Sequence, residues 1–169
     1  MRLRKLSCLD KSALADICNR IDRRYLSERI PYPYTDDHAA YFIDLANKEE
    51  EEGHGIFRGI EVDGRLVGVI SAEGKQDVYS HDAEVGYYLD PEYQGKGIMA
   101  GALKELSSIC FGSGYECLVA KACLPNTASI KTLVKAGFGY VGTIKGYVVK
   151  AGRHMDICLF SLNKASLEY

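Results

Sequence analysis

The chain has 169 residues, 47% of them apolar and 26% charged, which is typical of one soluble globular domain with a single core. Its net charge of −2 argues against nucleic acid as the main partner, because binding many phosphates requires an excess of basic residues. No apolar run reaches the ~18 residues of a membrane-spanning helix, and the N-terminus lacks the apolar segment of a signal peptide, so we expect a cytoplasmic protein without membrane contact.

Residue patterns in the first half of the chain predict two helices followed by a three-stranded meander. Thr35 is a suitable N-cap for the second helix, and Asp63 with Gly64 is a strong hairpin signal between two strands. In chain order, the predicted elements are a strand at 2–7, a helix at 10–20, a helix that begins after Thr35, and strands at 55–62, 66–72 and 81–89.

The second half of the chain predicts alternating helices and strands and a closing hairpin. In chain order, these elements are a helix at 97–111, a strand at 116–123, a helix at 126–136, and strands at 138–150 and 155–162. The crossover helix between the fourth and fifth strands implies that those two strands are parallel. The sequence therefore predicts a single α/β (α+β) domain at 1–169, with a mixed, mainly antiparallel sheet of about seven strands flanked by about four helices.

A glycine-rich turn leads into the helix predicted at 97–111. The first N–H groups of a helix have no intrahelical partner, and the helix dipole adds partial positive charge there, so this end can bind phosphate. Gly95 and Gly97 allow the backbone to approach a ligand closely, and Lys96 adds a positive charge. The predicted phosphate cradle consists of Gln94, Gly95, Lys96, Gly97, Ile98, Met99 and Ala100.

Two other interpretations of this turn remain open at this point. The spacing of residues 95–100 fits the dinucleotide fingerprint G-x-G-x-x-A, but Pro91 interrupts the strand that should run into the first glycine. The acidic residue that should end the next strand is also misplaced, because Glu116 lies at the start of that strand. The third interpretation is a glycine turn that only caps a helix.

A second block of sequence lies about 30 residues further on, at 126–138. Asn126 is a natural N-cap, and Gly137 is typical of the residue that follows a helix C-terminus. The residue preferences of helix ends alone explain most of the residues in this block. The two blocks in this order are more specific than either block alone.

Together, the two blocks resemble the signatures of the GNAT acetyltransferases, Q/R-x-x-G-x-G/A at 94–99 and N-x-x-[AS] followed by G-F at 126–138. Met99 departs from the first signature, which usually has Gly or Ala at that position. Residues 30–35, 83–89 and 156–162 are further similar to the RimJ/RimL-like branch, which acetylates protein N-termini and other amines. The resemblance spans nearly the whole chain.

This resemblance implies that the phosphates belong to acetyl-CoA, used as a cosubstrate. In the GNAT fold the fourth and fifth strands splay apart, and the pantetheine arm lies in the gap and pairs with the fourth strand. We therefore expect the backbone N–H of Leu89 to face the thioester carbonyl, where it would stabilise the oxyanion.

The resemblance also implies roles for three side chains. Glu84, on the fourth strand, is the leading candidate for the general base and would act through water, although a salt-bridged strand glutamate is the plainer interpretation. Ser129 is a candidate for protonating the thiolate or holding a water. The plainer interpretation is a serine in the first turn of a helix, hydrogen-bonded only to the helix end. Asn126 is a candidate for binding the pantetheine or the acceptor, or it only caps the helix. His81 and Asp82 are weaker candidates for the base.

Two positions depart from the family pattern. Leu133 stands where the family usually has a tyrosine acid, and Val141 stands where the branch often has a glutamate. Neither side chain can transfer a proton. These departures keep open a non-catalytic acyl-CoA-binding or regulatory module as the alternative to an enzyme.

The predicted function is direct acetyl transfer from acetyl-CoA to a primary amine, either a protein N-terminus or a small molecule. We expect no metal, because none of the six cysteines forms a C-x-x-C pair and no His lies at ligand spacing from them. We expect no nucleic acid partner, and a homodimer is compatible with the sequence.

The acidic run at 49–52 favours a solvated helix end over a site for cationic acceptors. Several tyrosines are candidates for an acceptor cleft, namely Tyr32, Tyr34, Tyr41, Tyr87, Tyr88 and Tyr93.

Overall fold

The predicted alternation of strands and helices is present in a computed structural model of the chain, which describes residues 1–167. Residues 168 and 169 of the predicted domain lie outside the described part. The strands are β1 (Arg2–Arg4), β2 (Gly55–Val62), β3 (Arg65–Gly74), β4 (Asp82–Leu89), β5 (Cys117–Cys123), β6 (Gly139–Lys150) and β7 (Arg153–Asn163), and the helices are α1 (Lys11–Arg20), α2 (Asp36–Glu51), α3 (Ile98–Gly112) and α4 (Thr127–Lys135). None of the helices within 1–167 combines the length and apolar character that a membrane crossing requires.

All seven strands form one sheet in the order β1-β2-β3-β4-β5-β7-β6. Every neighbouring pair is antiparallel except β4 and β5, which are parallel because α3 crosses over between them. The predicted fold class, with its mainly antiparallel sheet and flanking helices, is confirmed.

Local sequence signals set most of the element ends. Thr35 caps α2 by accepting a hydrogen bond from the His38 N–H at 3.3 Å. Asp63 and Gly64 both have positive φ, 50° and 77°, as the tight turn between β2 and β3 requires. The strand predicted at 2–7 is wrong at its C-terminal end, because β1 stops at Arg4 and a 3₁₀ turn follows at Cys8–Asp10.

The sheet has a separate apolar cluster on each face. The cluster beneath α3 and α4 includes Leu103, Leu118, Leu133 and Phe160, each at most 1% exposed. The cluster beneath α1 and α2 includes Leu14, Ile17 and Ile43 from the helices. Burial of these side chains supplies most of the favourable free energy of folding, at about 1.5–3 kcal/mol each. The two clusters fix the helices on both faces and so hold the strand ends in place.

The parallel pairing of β4 with β5 is short. It joins Asp82–Val85 to Cys117–Ala120 and then ends, while β4 stays paired with β3 as far as Leu89. The remaining part of β5 stays paired with β7 through Cys123. The two central strands therefore diverge and leave a slot along residues 86–89 of β4, as the resemblance predicted.

One ion pair connects the first strand to the first helix. The two carboxylate oxygens of Asp10 accept hydrogen bonds from the Arg4 guanidinium at 2.6 and 2.8 Å, and one also accepts from the Ser7 N–H. The Asp10 side chain is only 9% exposed. The Arg4 hydrogen bonds hold the pKa of Asp10 below its ordinary value, against the opposing effect of burial.

We expect Asp10→Asn to lower the free energy of unfolding by about 2 kcal/mol, because it removes charge-assisted hydrogen bonds from a nearly buried site. The pKa of Asp10 is lowered in the folded state. Its stabilisation is therefore complete above the unfolded-state pKa of about 3.9, and it is lost as pH falls through the folded-state pKa. Urea unfolding at pH 7 and in acid measures both effects. Asp16→Asn, on the exposed side of α1, is the control; equal losses from the two variants would contradict the role of the Arg4–Asp10 pair.

Candidate functional site

The slot exposes backbone groups of β4. The N–H of Asp90 donates to the Val67 carbonyl at 2.8 Å, so in the alternating ladder Leu89 directs its own N–H and C=O away from β3. Pairing with β5 ended at Val85. The Leu89 N–H therefore faces the slot. The ladder with β3 runs without a bulge from Ala83 to Leu89, so the side chains alternate regularly between the two faces.

The glycine turn lies at the end of this slot, immediately before α3. Gly95 and Gly97 have φ of 74° and 77°, in the left-handed region that other residues adopt at a cost. The first helical hydrogen bond is donated by the Gly101 N–H to the Gly97 carbonyl at 3.1 Å. The N–H groups ahead of Gly101 therefore have no intrahelical acceptor, and the start of a 15-residue helix is the end at which such groups can bind an anion.

The side chains of the predicted cradle divide into three groups. Gln94 Nε2 donates to the Leu89 carbonyl at 3.1 Å and so fixes the turn against the end of β4. Lys96 is exposed, with its ammonium 5.2 Å from the centre of the Tyr93 ring. Met99 and Ala100 are buried in the core, at 7% and 5% exposure. The departure of Met99 from the signature therefore places no side chain in the cradle, because that side chain is buried.

A lysine that the sequence motifs did not indicate also reaches the cradle. A Cβ atom placed on Gly97 would lie 3.4 Å from Nζ of Lys135, the last residue of α4. An ammonium beside the positive end of a helix is electrostatically unfavourable unless an anion lies between them. No local pattern predicts this contact, because Lys135 follows the usual preference for a basic residue in the last turn of a helix.

The first turn of α4 faces the slot from the side of β5. Asn126 caps this helix, accepting from the Ser129 N–H at 3.2 Å, so its capping interpretation is confirmed in geometry. The Ser129 hydroxyl lies 2.8 Å from the hydroxyl of Tyr87 on β4. Leu133 has no exposed surface and belongs to the core, so it only packs.

Glu84 lies on the opposite face of β4 from Tyr87, in an ion pair. Its carboxylate accepts from Lys121 Nζ at 2.8 Å, and the Glu84 side chain is 38% exposed. The Lys121 ammonium also lies 5.7 Å from the centre of the Tyr147 ring. The salt-bridged arrangement foreseen as the plainer interpretation of Glu84 is therefore present. Asp82 lies at the closed end of the slot, about 23 Å along the strand from Leu89, which is too far for direct contact with the same ligand atom.

The tyrosines considered for one acceptor cleft lie in different places. Tyr34 is 7% exposed and packs beneath α1 and α2, where Tyr88 also packs. Tyr41 is 70% exposed on α2. Tyr87 packs against the cluster on the other face. The interpretation of these residues as a single cleft is therefore wrong, because alternation along β4 and the amphipathic helices send them to different surfaces.

The acidic run at the end of α2 is partly structural. Glu50 accepts from the Arg58 guanidinium and from the Phe57 N–H. Glu49 and Glu52 lie at the exposed helix end near His54. The run is thus a helix C-terminus, as favoured, with one of its four carboxylates used for packing against β2.

Comparison with known proteins identifies the family. Residues 1–139 match the acetyltransferase (GNAT) domain, so the chain belongs to the GNAT acetyltransferases. YdaF of Bacillus subtilis (strain 168), a candidate ribosomal N-acetyltransferase, is 32% identical over 116 residues, which cover 68% of this chain and 63% of YdaF. The match therefore spans a little less than two thirds of that relative's length.

Solved structures show the same fold. Mycobacterium smegmatis RimJ in complex with CoA-disulfide has a TM-score of 0.88 and 21% identity, over 99% of this chain and 83% of RimJ. The microcin C7 self-immunity acetyltransferase MccE, in complex with acetyl-CoA and AMP, has a TM-score of 0.85 and 21% identity, over 95% of this chain and 91% of MccE. The predicted resemblance to the GNAT fold and its RimJ/RimL-like branch is confirmed.

We expect Gly97→Ala to lower the free energy of unfolding by about 1–2 kcal/mol, because an L-residue is strained in the left-handed conformation that starts α3. Gly112→Ala, at the other end of the same helix, is the matched control. A Cβ atom there meets open space, and alanine should leave stability unchanged or raise it. Urea unfolding compares the two variants. Equal stability of Gly97→Ala and the parent would show that the left-handed turn is not required.

Proposed function

We propose that the protein is an acetyl-CoA-dependent N-acetyltransferase that moves an acetyl group directly to a primary amine. One observation carries the proposal: the slot between β4 and β5 and the anion-binding turn before α3 lie end to end. A long ligand with a diphosphate at one end and an amide-containing arm at the other fits this arrangement. RimJ and MccE, solved with CoA-disulfide and acetyl-CoA, support this choice of ligand.

The phosphates of acetyl-CoA would bind to the N–H groups of 95–100, with Lys96 and Lys135 supplying positive charge. The pantetheine arm would pair with the free edge of β4 as an added strand. The Leu89 N–H would then donate to the thioester carbonyl and stabilise the negative charge that develops on its oxygen. A preformed donor of this kind favours the transition state over the bound substrate.

Two side chains would handle the protons of the reaction. Glu84 would take a proton from the acceptor ammonium through a chain of water molecules, since direct contact is excluded by the spacing of about 16 Å along the strand between Glu84 and Leu89. The nitrogen of the free amine then forms the C–N bond and the C–S bond breaks, leaving its electron pair on sulfur. The nitrogen releases its second proton to solvent. The Ser129 hydroxyl would donate a hydrogen bond to the departing thiolate.

The acceptor is proposed at the level of chemical class, as a protein N-terminal amine or a small-molecule amine. The name of YdaF supports a ribosomal protein, while MccE is a microcin C7 self-immunity acetyltransferase solved with acetyl-CoA and AMP. On the face of Glu84, the segment between α1 and α2 lies against the sheet. Lys150 Nζ, near the tip of the β6–β7 hairpin, donates to the carbonyls of Arg23 and Leu26 in that segment. We expect an acceptor to approach Glu84 along the surface built by this segment and the hairpin.

A non-catalytic acyl-CoA-binding module remains the alternative, and two observations favour it. Leu133 packs in the core at the position where the family pattern has an acid. Glu84 is engaged with Lys121. Binding without turnover across a panel of amines would select this alternative.

Acetyl-CoA at ~100 times its dissociation constant should raise the free energy of unfolding by about 2.7 kcal/mol, whereas NAD should have no effect. Lys135→Ala should weaken acetyl-CoA binding about tenfold, since a charge-assisted phosphate contact contributes roughly 1.5 kcal/mol. Thermal unfolding and calorimetric titration measure these effects, with Lys11→Ala on α1 as the control. Titration of the parent and Lys135→Ala with dephospho-CoA, which lacks the 3′-phosphate, shows whether Lys135 contacts that phosphate or the diphosphate. A shift with NAD, or none with acetyl-CoA, would overturn the ligand assignment.

Glu84→Gln should lower kcat about 100-fold at neutral pH while leaving acetyl-CoA binding unchanged, because glutamine cannot accept the proton of the ammonium. The activity of the variant should recover as pH rises, since more of the acceptor is then already a free amine. Glu73→Gln is the matched control, because Glu73 lies directly opposite Glu84 on β3 and faces the same side. Equal turnover by the parent and Glu84→Gln would remove Glu84 from the reaction.

A further inference from the structure

One hydrogen bond links the two elements that flank the slot. The hydroxyls of Tyr87 and Ser129 lie 2.8 Å apart, and the two residues are 42 positions apart in the sequence. Tyr87 belongs to the part of β4 that has separated from β5, and Ser129 belongs to the first turn of α4, which follows β5. The contact therefore crosses the region where the thioester of acetyl-CoA would lie under the proposed function.

The surroundings of Tyr87 allow its phenol to be the donor in this hydrogen bond. Burial raises the pKa of the Tyr87 phenol above its ordinary value, against the smaller opposing effect of Ser129, so the phenol keeps its proton at neutral pH. A protonated phenol can donate to the serine oxygen. The single hydrogen of the Ser129 hydroxyl is then free to point elsewhere.

Ser129 is also held through its backbone. Its N–H donates to Oδ1 of Asn126, so the helix cap fixes the main chain while Tyr87 fixes the side chain. The χ1 rotation that a first-turn serine would otherwise have is restricted from both ends. A hydroxyl positioned in advance stabilises developing charge without first reorganising.

We propose that Tyr87 is a positioning residue that donates to Ser129 and turns the Ser129 O–H toward the sulfur of acetyl-CoA. The inference rests on the proposed function and extends it. As the C–S bond breaks and the electron pair moves onto sulfur, Ser129 donates a hydrogen bond to the thiolate and Tyr87 donates to Ser129. Neither residue loses its proton, and the thiolate is protonated by solvent after release. The pair takes the place of the tyrosine acid that Leu133 cannot supply.

The test is a double-mutant cycle with Tyr87→Phe, Ser129→Ala and the double variant, assayed by thiol release from acetyl-CoA. Tyr87→Phe keeps the ring and removes one hydrogen bond. It should lower kcat about tenfold with the KM for acetyl-CoA unchanged. If Tyr87 acts through Ser129, the double variant should be no slower than Ser129→Ala alone. Tyr88→Phe is the matched control, because Tyr88 is the next residue on β4 and packs on the other face.

The outcomes separate this inference from the proposed function. The positioning role is wrong, and the enzyme assignment stands, if the parent releases thiol and Tyr87→Phe keeps its full kcat. The same conclusion follows if the fold-reduction in kcat of the double variant equals the product of the two single reductions. An equal loss in Tyr88→Phe would indicate a general effect on the strand and would also overturn it. If the parent binds acetyl-CoA but releases no thiol with any amine, or with water, as the acetyl acceptor, both proposals fail together, because no thiolate departs.

Discussion

The early end of the β4–β5 pairing is the constraint on which the rest of the structure depends. Parallel pairing covers only Asp82–Val85, so the later residues of β4 keep backbone donors and acceptors without a partner strand. Unpaired backbone groups inside a sheet are unfavourable unless water or a ligand satisfies them. A slot of this kind is suited to a ligand that carries amide groups of its own, because such a ligand can replace the missing strand.

The divergence is tolerated because each strand is secured on its other side. β4 remains paired with β3 as far as Leu89, and β5 remains paired with β7 as far as Cys123. The sheet thus consists of two parts that meet only at the start of the slot. The helices α3 and α4 lie over one face and share a continuous apolar cluster with both parts, including Leu103 and Leu133. That shared core holds the parts at a fixed separation, so the slot is present before any ligand binds.

Most of the fold could be predicted from the sequence because its signals are local. Thr35, Asp63 and Gly64 act on their immediate neighbours, and hydrophobic periodicity places the helices to within a residue or two. The cradle could be predicted for the same reason. The contacts of Lys135, Tyr87 and Lys121 could not, because each joins residues about 40 positions apart and leaves no periodic trace. The position of Leu89 required the family resemblance, since divergence of two strands has no signature within either strand.

The alternation of side chains along β4 assigns the two ends of the proposed reaction to opposite faces of the sheet. Tyr87 and Leu89 lie an even number of residues apart, and both pack with the cluster under α3 and α4. Glu84 is an odd number of residues from each, so it points to the face of α1 and α2. A thioester held beside Leu89 would therefore have Ser129 and Tyr87 on one side of the sheet, and Glu84 on the other side further back along β4. An attacking amine and a departing sulfur need separate places around the carbonyl carbon, and the two-residue period of one regular strand supplies both. A bulge in β4 would move Tyr87 and Glu84 to the same face, so the unbroken ladder with β3 matters for the chemistry as well as for the fold.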